Sequence, residues 1–99
     1  MMIIAKEVAF TNDVGGTSLM EGRFKVRVDA SYVDDEIGTV LHGRLVDATD
    51  IARARREGTT GYGPEDYKKY GPDLVEQTRK ARNTFDPARV HVSYFDVIK

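Results

Sequence analysis

His42 and His91 are the only two imidazoles in the 99-residue chain. They are also the only side chains whose ordinary pKa lies near neutrality. Both fall in segments that read as β-strands, where histidine is mostly a structural or surface residue. A metal trio of these two with Asp29 or Asp96 can be drawn, but no His-Glu-x-x-His spacing supports it. Ser31 or Ser93 would complete a Ser/His/Asp set on paper, which almost any chain of this size permits. Asp34-Asp35-Glu36 misses the EF-hand spacing and is explained by a solvated turn. The chain has no cysteine, which excludes a disulfide framework, a cysteine zinc site and a thiol nucleophile. The expectation is a protein that is not an enzyme, with no cofactor and no metal.

The cations offer a second chemistry. Arg23, Lys25 and Arg27 alternate with Phe24, Val26 and Val28, so they share one side of an extended chain. If residues 39–46 pair beside them, His42 and Arg44 join that side, and His91 and Phe95 follow from the last strand. Cations and rings on an open sheet can hold single-stranded nucleic acid. The simpler account is a solvated face balanced across strands by Asp29 and Glu7. A second basic group comprises Arg53, Arg55 and Arg56 with Arg79, Lys80 and Arg82, and Arg89 nearby. On two outer helices these would form one patch for phosphate or an acidic partner. Asp50, Glu57 and Glu76 stand at ion-pairing distance in sequence, so ordinary helix solvation explains them equally simply.

Two glycine-rich stretches, Gly15-Gly16 and Gly58 to Gly63, lack the Gly-Lys-Ser/Thr ending of a phosphate loop. The second reads as a connector that displays Tyr62. Tyr62, Tyr67 and Tyr70 cluster within nine residues. Tyrosine suits interfaces because it buries area at low entropic cost and keeps a polar tip. The same rings could instead cover a sheet.

These residues need elements to position them. Residues 2–10 alternate as a strand that is partly apolar on both faces. Residues 11–18 are turn chemistry, and 23–32 is a strand with one wet face. Residues 33–38 form a tight acidic turn, and 39–46 returns as the hairpin partner. Gly43 within that run marks a bulge or a close approach. From Asp47 or Thr49 a short helix runs to Gly58, with Asp50 at its start and Arg55-Arg56 at its end, in agreement with the helix dipole. Tyr62-Gly63-Pro64 is echoed by Tyr70-Gly71-Pro72. In each, proline takes a first helical position, giving helices at 64–70 and 72–84. Asp86-Pro87 breaks the chain before a closing strand at 90–98.

The order β-β-β-α-α-α-β predicts a single α+β domain over residues 1–99. Its mostly antiparallel four-stranded sheet carries two or three helices on one face. The expected core is Ile4, Val8, Phe10, Phe24, Val26, Val28, Tyr32, Leu41, Leu45, Ile51, Leu74, Val75, Ala81, Phe85, Val90, Val92 and Tyr94.

Composition narrows the function. The chain is 40% hydrophobic and 31% charged, with a net charge of −1. That is ordinary globular composition without bulk attraction to nucleic acid. The halves differ mildly: residues 1–49 hold 5 Lys/Arg and 8 Asp/Glu, residues 50–99 hold 10 and 8. No apolar run is long enough to span a bilayer and the first residues do not form a secretory signal, so a cytoplasmic protein without membrane attachment is expected. Sheet edges at 2–10 and 90–98 with apolar character invite pairing. The reading is therefore a small protein-binding accessory protein, a homo-oligomer, of a kind common in viruses and mobile elements. The alternative is a nucleic-acid-binding module using the basic sheet face or the basic helices.

Overall fold

The computed structural model describes residues 1–99, the side chain of Pro64 excepted. The elements are β1 (Met2–Thr11), β2 (Thr17–Asp34), β3 (Gly38–Leu45), α1 (Ala48–Gly58), a 3-10 helix (Pro64–Tyr70), α2 (Pro72–Thr84), β4 (Arg89–Ser93) and a short 3-10 turn (Tyr94–Asp96). The expected order is found. All strand pairs are antiparallel, in the order β1-β2-β3-β4.

The sheet curls until its ends meet. Ala9 pairs with His91, Ala5 bridges to Val97, and Ile98 N donates to the Ile4 carbonyl at 2.8 Å. The expected free edges at 2–10 and 90–98 therefore cover each other, which corrects the edge argument for self-association. Closure is one of the ways a sheet removes its unpaired edge groups.

Two register shifts make this curvature possible, because a bulge bends and twists its strand. Between Ala5 and Glu7 the β1–β2 register slips. The inward residues of β1 change parity there, from Ile3 and Ala5 to Val8 and Phe10. This is why β1 reads as apolar on both faces. Between Val28 and Ala30 the β2–β3 register slips again, opposite Gly43 and His42. Gly43 is needed there: a Cβ on it would overlap the Arg27 carbonyl oxygen and sit 2.8 Å from Val26 Cγ1.

The second shift turns the end of β2 over. Phe24 and Val26 are buried as expected, but Tyr32 is exposed. It pairs with Val40, which is itself buried. Tyr94 is also exposed, because β4 ends at Ser93 and the chain turns away. The barrel interior is filled by Ala5, Val8, Phe10, Met20, Phe24, Val26, Leu41, Leu45, Val90 and Val92, with Ala54 of α1 packed against it. Ala5, Met20 and Ala54 join a core from which Tyr32 and Tyr94 depart. Ile4, Leu74, Val75 and Ala81 are half-buried and lie outside this cluster.

The helices take different neighbours. α1 packs on β2 and β3, whereas α2 packs chiefly on the 3-10 helix before it. One buried carboxylate ties these parts together. Asp13, in the β1–β2 turn, accepts from Thr60 N at 3.1 Å and Thr60 Oγ1 at 2.8 Å. Its own N–H donates to the Gly58 carbonyl, and Arg82 of α2 lies 3.9 Å from its carboxylate. The buried Thr78 hydroxyl is satisfied within α2 by the Leu74 carbonyl at 2.8 Å. Among the described residues, no helix is long and apolar enough to cross a membrane.

Candidate functional site

Cross-strand pairing sets the outer face of the barrel in rows. In one row Arg27 pairs with Arg44, and Arg44 with Arg89. Three guanidinium side chains thus rise from neighbouring strands at one level, where like charges would repel. Two carboxylates relieve this. Asp86 takes Arg44 in a two-point contact, 2.7 and 3.4 Å, and Asp29 lies 3.7 Å from Arg89. The Arg44 hydrogen bond holds the Asp86 carboxyl below the usual carboxylate range, and Asp86 in turn raises Arg44. Among the described residues, Arg23, Lys25 and Arg27 have no carboxylate within ion-pairing distance. The sheet-face cations are thus brought together with Arg44, as expected, and joined by Arg89.

The next row carries rings. His42 pairs with His91, their rings stacked 4.2 Å apart, and Tyr32 meets His42 edge-on at 4.9 Å. Burial, then the neighbouring His42 and Arg89, push the His91 imidazole below its ordinary pKa. His91 also walls a cleft of about 320 Å³ that Tyr32, Ile37, Val40, Glu7 and Asp96 share. His91 is therefore partly enclosed on a concave surface, with the His42 ring stacked against it. Among the described residues no three His, Cys, Asp or Glu side chains are grouped to hold a metal ion.

Beyond the rings the β2–β3 hairpin ends in apolar residues that nothing in the chain covers. Val33 is 75% exposed and Ile37 52%. Phe95, 76% exposed, reaches Gly38 from the turn after β4. Sequence reasoning missed this surface. Its signal was the pair of aliphatic residues flanking Asp34-Asp35-Glu36, which periodicity alone could not separate from a buried turn. A separate groove of about 510 Å³ is lined by Met2, Ile3, Ile4, Val97 and Ile98, with Lys25 at its rim.

The two basic helix clusters are not one patch, because α1 and α2 pack on different neighbours. Arg53 is engaged by Glu57, by the Glu21 carbonyl at 2.9 Å and by the face of Phe24. Arg79 pairs with Glu76, and Arg82 approaches Asp13. Arg55, Arg56 and Lys80 are exposed.

The tyrosines do meet in space. Tyr62 stands edge-on to Tyr67 at 6.3 Å, and Tyr67 lies 6.1 Å from Tyr70. Tyr67 is half-buried while the outer two are mostly exposed. Their support is α2, not the sheet, so the account in which they cover the sheet is set aside. Compared with protein-family models, with curated proteins and with solved structures, the chain matches none.

Proposed function

We propose that this chain is a small non-enzymatic module that works by protein–protein contact and associates with copies of itself. The observation that carries the reading is the uncovered apolar end of the β2–β3 hairpin, where Tyr32, Val33, Ile37 and Phe95 face solvent. Apolar side chains gathered at one end of a hairpin form the kind of exposed patch that serves as a contact surface. An accessory role in the cytoplasm goes with this reading. The test is the variant Val33→Asp plus Ile37→Asp, with molar mass measured by light scattering. Both side chains are exposed, so the fold should survive. The variant is expected at the single-chain mass of 11.1 kDa, with the unaltered chain above it. An unaltered chain that stays at 11.1 kDa at every concentration contradicts the proposal.

A second reading has its own support in the Arg27, Arg44 and Arg89 row with Lys25 beside it. A phosphate backbone could take the guanidinium groups. Binding of this kind must weaken steeply as salt rises, and Lys25→Glu plus Arg27→Glu must abolish it. Binding that survives those two changes ends the sheet-face version.

A further inference from the structure

We infer that the self-contact is head-to-tail: the acidic hairpin tip of one copy seats in the Lys25-rimmed apolar groove of the next. This rests on the self-association proposed above and specifies its geometry.

Charge carries the argument. Residues 30–41 hold Asp34, Asp35 and Glu36 and no lysine or arginine. The tip is also shaped in advance. Asp34 accepts from Glu36 N at 2.8 Å and Ile37 N at 3.0 Å, and Gly38 leaves the turn at φ 89°. Positive φ at that position suits glycine. Val33 and Ile37 flank the three carboxylates.

The groove is its complement in both respects. Met2, Ile3, Ile4, Val97 and Ile98 give it an apolar wall. Lys25 lines it, and Arg23 and Arg27 flank Lys25 on the same strand without carboxylate partners among the described residues. Its volume of about 510 Å³ has room for several aliphatic side chains. A symmetric tip-to-tip contact would instead bring three carboxylates against three. Tip and groove are separate surfaces of one chain, so each copy can use both at once. A contact of this type is heterologous, and repetition closes a ring or extends a filament.

The experiment uses two full-length variants, each checked for its fold by circular dichroism. The tip variant is Asp35→Lys plus Glu36→Lys, with Asp34 kept to hold the turn. The groove variant is Lys25→Glu plus Arg27→Glu. Each alone should lose self-association by ~100-fold in dissociation constant, since opposed like charges strongly disfavour a contact. Mixed in equal amounts, they should assemble again in alternation, because the acidic tip of one meets the basic groove of the other and the reversed tip meets the reversed groove. A chain carrying all four changes should assemble again. The inference is overturned if either variant alone assembles like the unaltered chain, or if the mixture stays at the single-chain mass. In those outcomes the unaltered chain still self-associates and the function proposal stands. A monomeric unaltered chain removes both.

Discussion

His42 of β3 and His91 of β4 occupy one cross-strand pair, with their rings stacked at 4.2 Å and only 15° from parallel. His91 is also the residue through which β4 pairs with Ala9 of β1 and closes the barrel. A proton added there is placed beside a second imidazole and Arg89, in a partly desolvated position.

This gives a pH dependence with a definite sign. The folded His91 pKa lies below the ordinary 6.5. Between the two values the unfolded chain binds a proton that the folded chain refuses, so stability rises with pH in that window. Stability is full above pH 6.5 and is lost as pH falls from there through the folded value. Urea unfolding across that range should show the loss, and His91→Gln should flatten it. Asp34 and Asp86 have folded pKa values below 3.8, so their contributions are lost only at lower pH. An unchanged slope in His91→Gln would assign the effect elsewhere.

Gly43 carries a second prediction. Its missing Cβ lets the Arg27 carbonyl approach at the bulge. Gly43→Ala forces backbone against side chain at a ladder position, which costs about 1–3 kcal/mol. A shift of the urea midpoint measures it. A neutral result would mean that β3 can move away at no cost.

Asp13 carries the third. Its carboxylate is the acceptor for both Thr60 groups, and it is buried. Asp13→Ala leaves the Thr60 amide without that acceptor, at a cost of about 1–3 kcal/mol. Hydrogen exchange at Thr60 should accelerate more than at residues 90–92 of β4. Equal acceleration at both would show global unfolding in place of release of the connector.

The tyrosine cluster separates support from display. Tyr67→Ala removes the central, half-buried ring of the three and should lower stability by ~1–2 kcal/mol. Tyr62→Ala and Tyr70→Ala alter exposed rings and should each stay within about 0.5 kcal/mol. If Tyr62→Ala costs as much as Tyr67→Ala, the cluster is a packed unit and not a displayed one.

Much of the fold is written in local pattern. The alternation from Phe24 to Val28 places one buried and one wet face correctly, and the Gly71-Pro72 start and Thr84 end of α2 are met. Local pattern fails where a non-local shift changes parity. Ala30 and Tyr32 continue the alternation in sequence, yet the slip opposite Gly43 turns them outward with His42. Met20 was lost because the turn chemistry at 11–18 hides a strand that already starts at Thr17. Ring closure depends on accumulated twist, which no single segment encodes, so the mutual cover of β1 and β4 was not legible. At the candidate site the cations of β2 were readable by period two. The apolar tip and the groove were not, since each joins residues far apart in sequence, as Ile4 and Ile98 do.

Sedimentation equilibrium of the unaltered full-length chain, with and without nuclease treatment, tests protein–protein self-contact most directly. The account predicts a mass above 11.1 kDa that grows with concentration, falls with added salt and ignores nuclease. A mass fixed at 11.1 kDa, or an excess that nuclease removes, would contradict it.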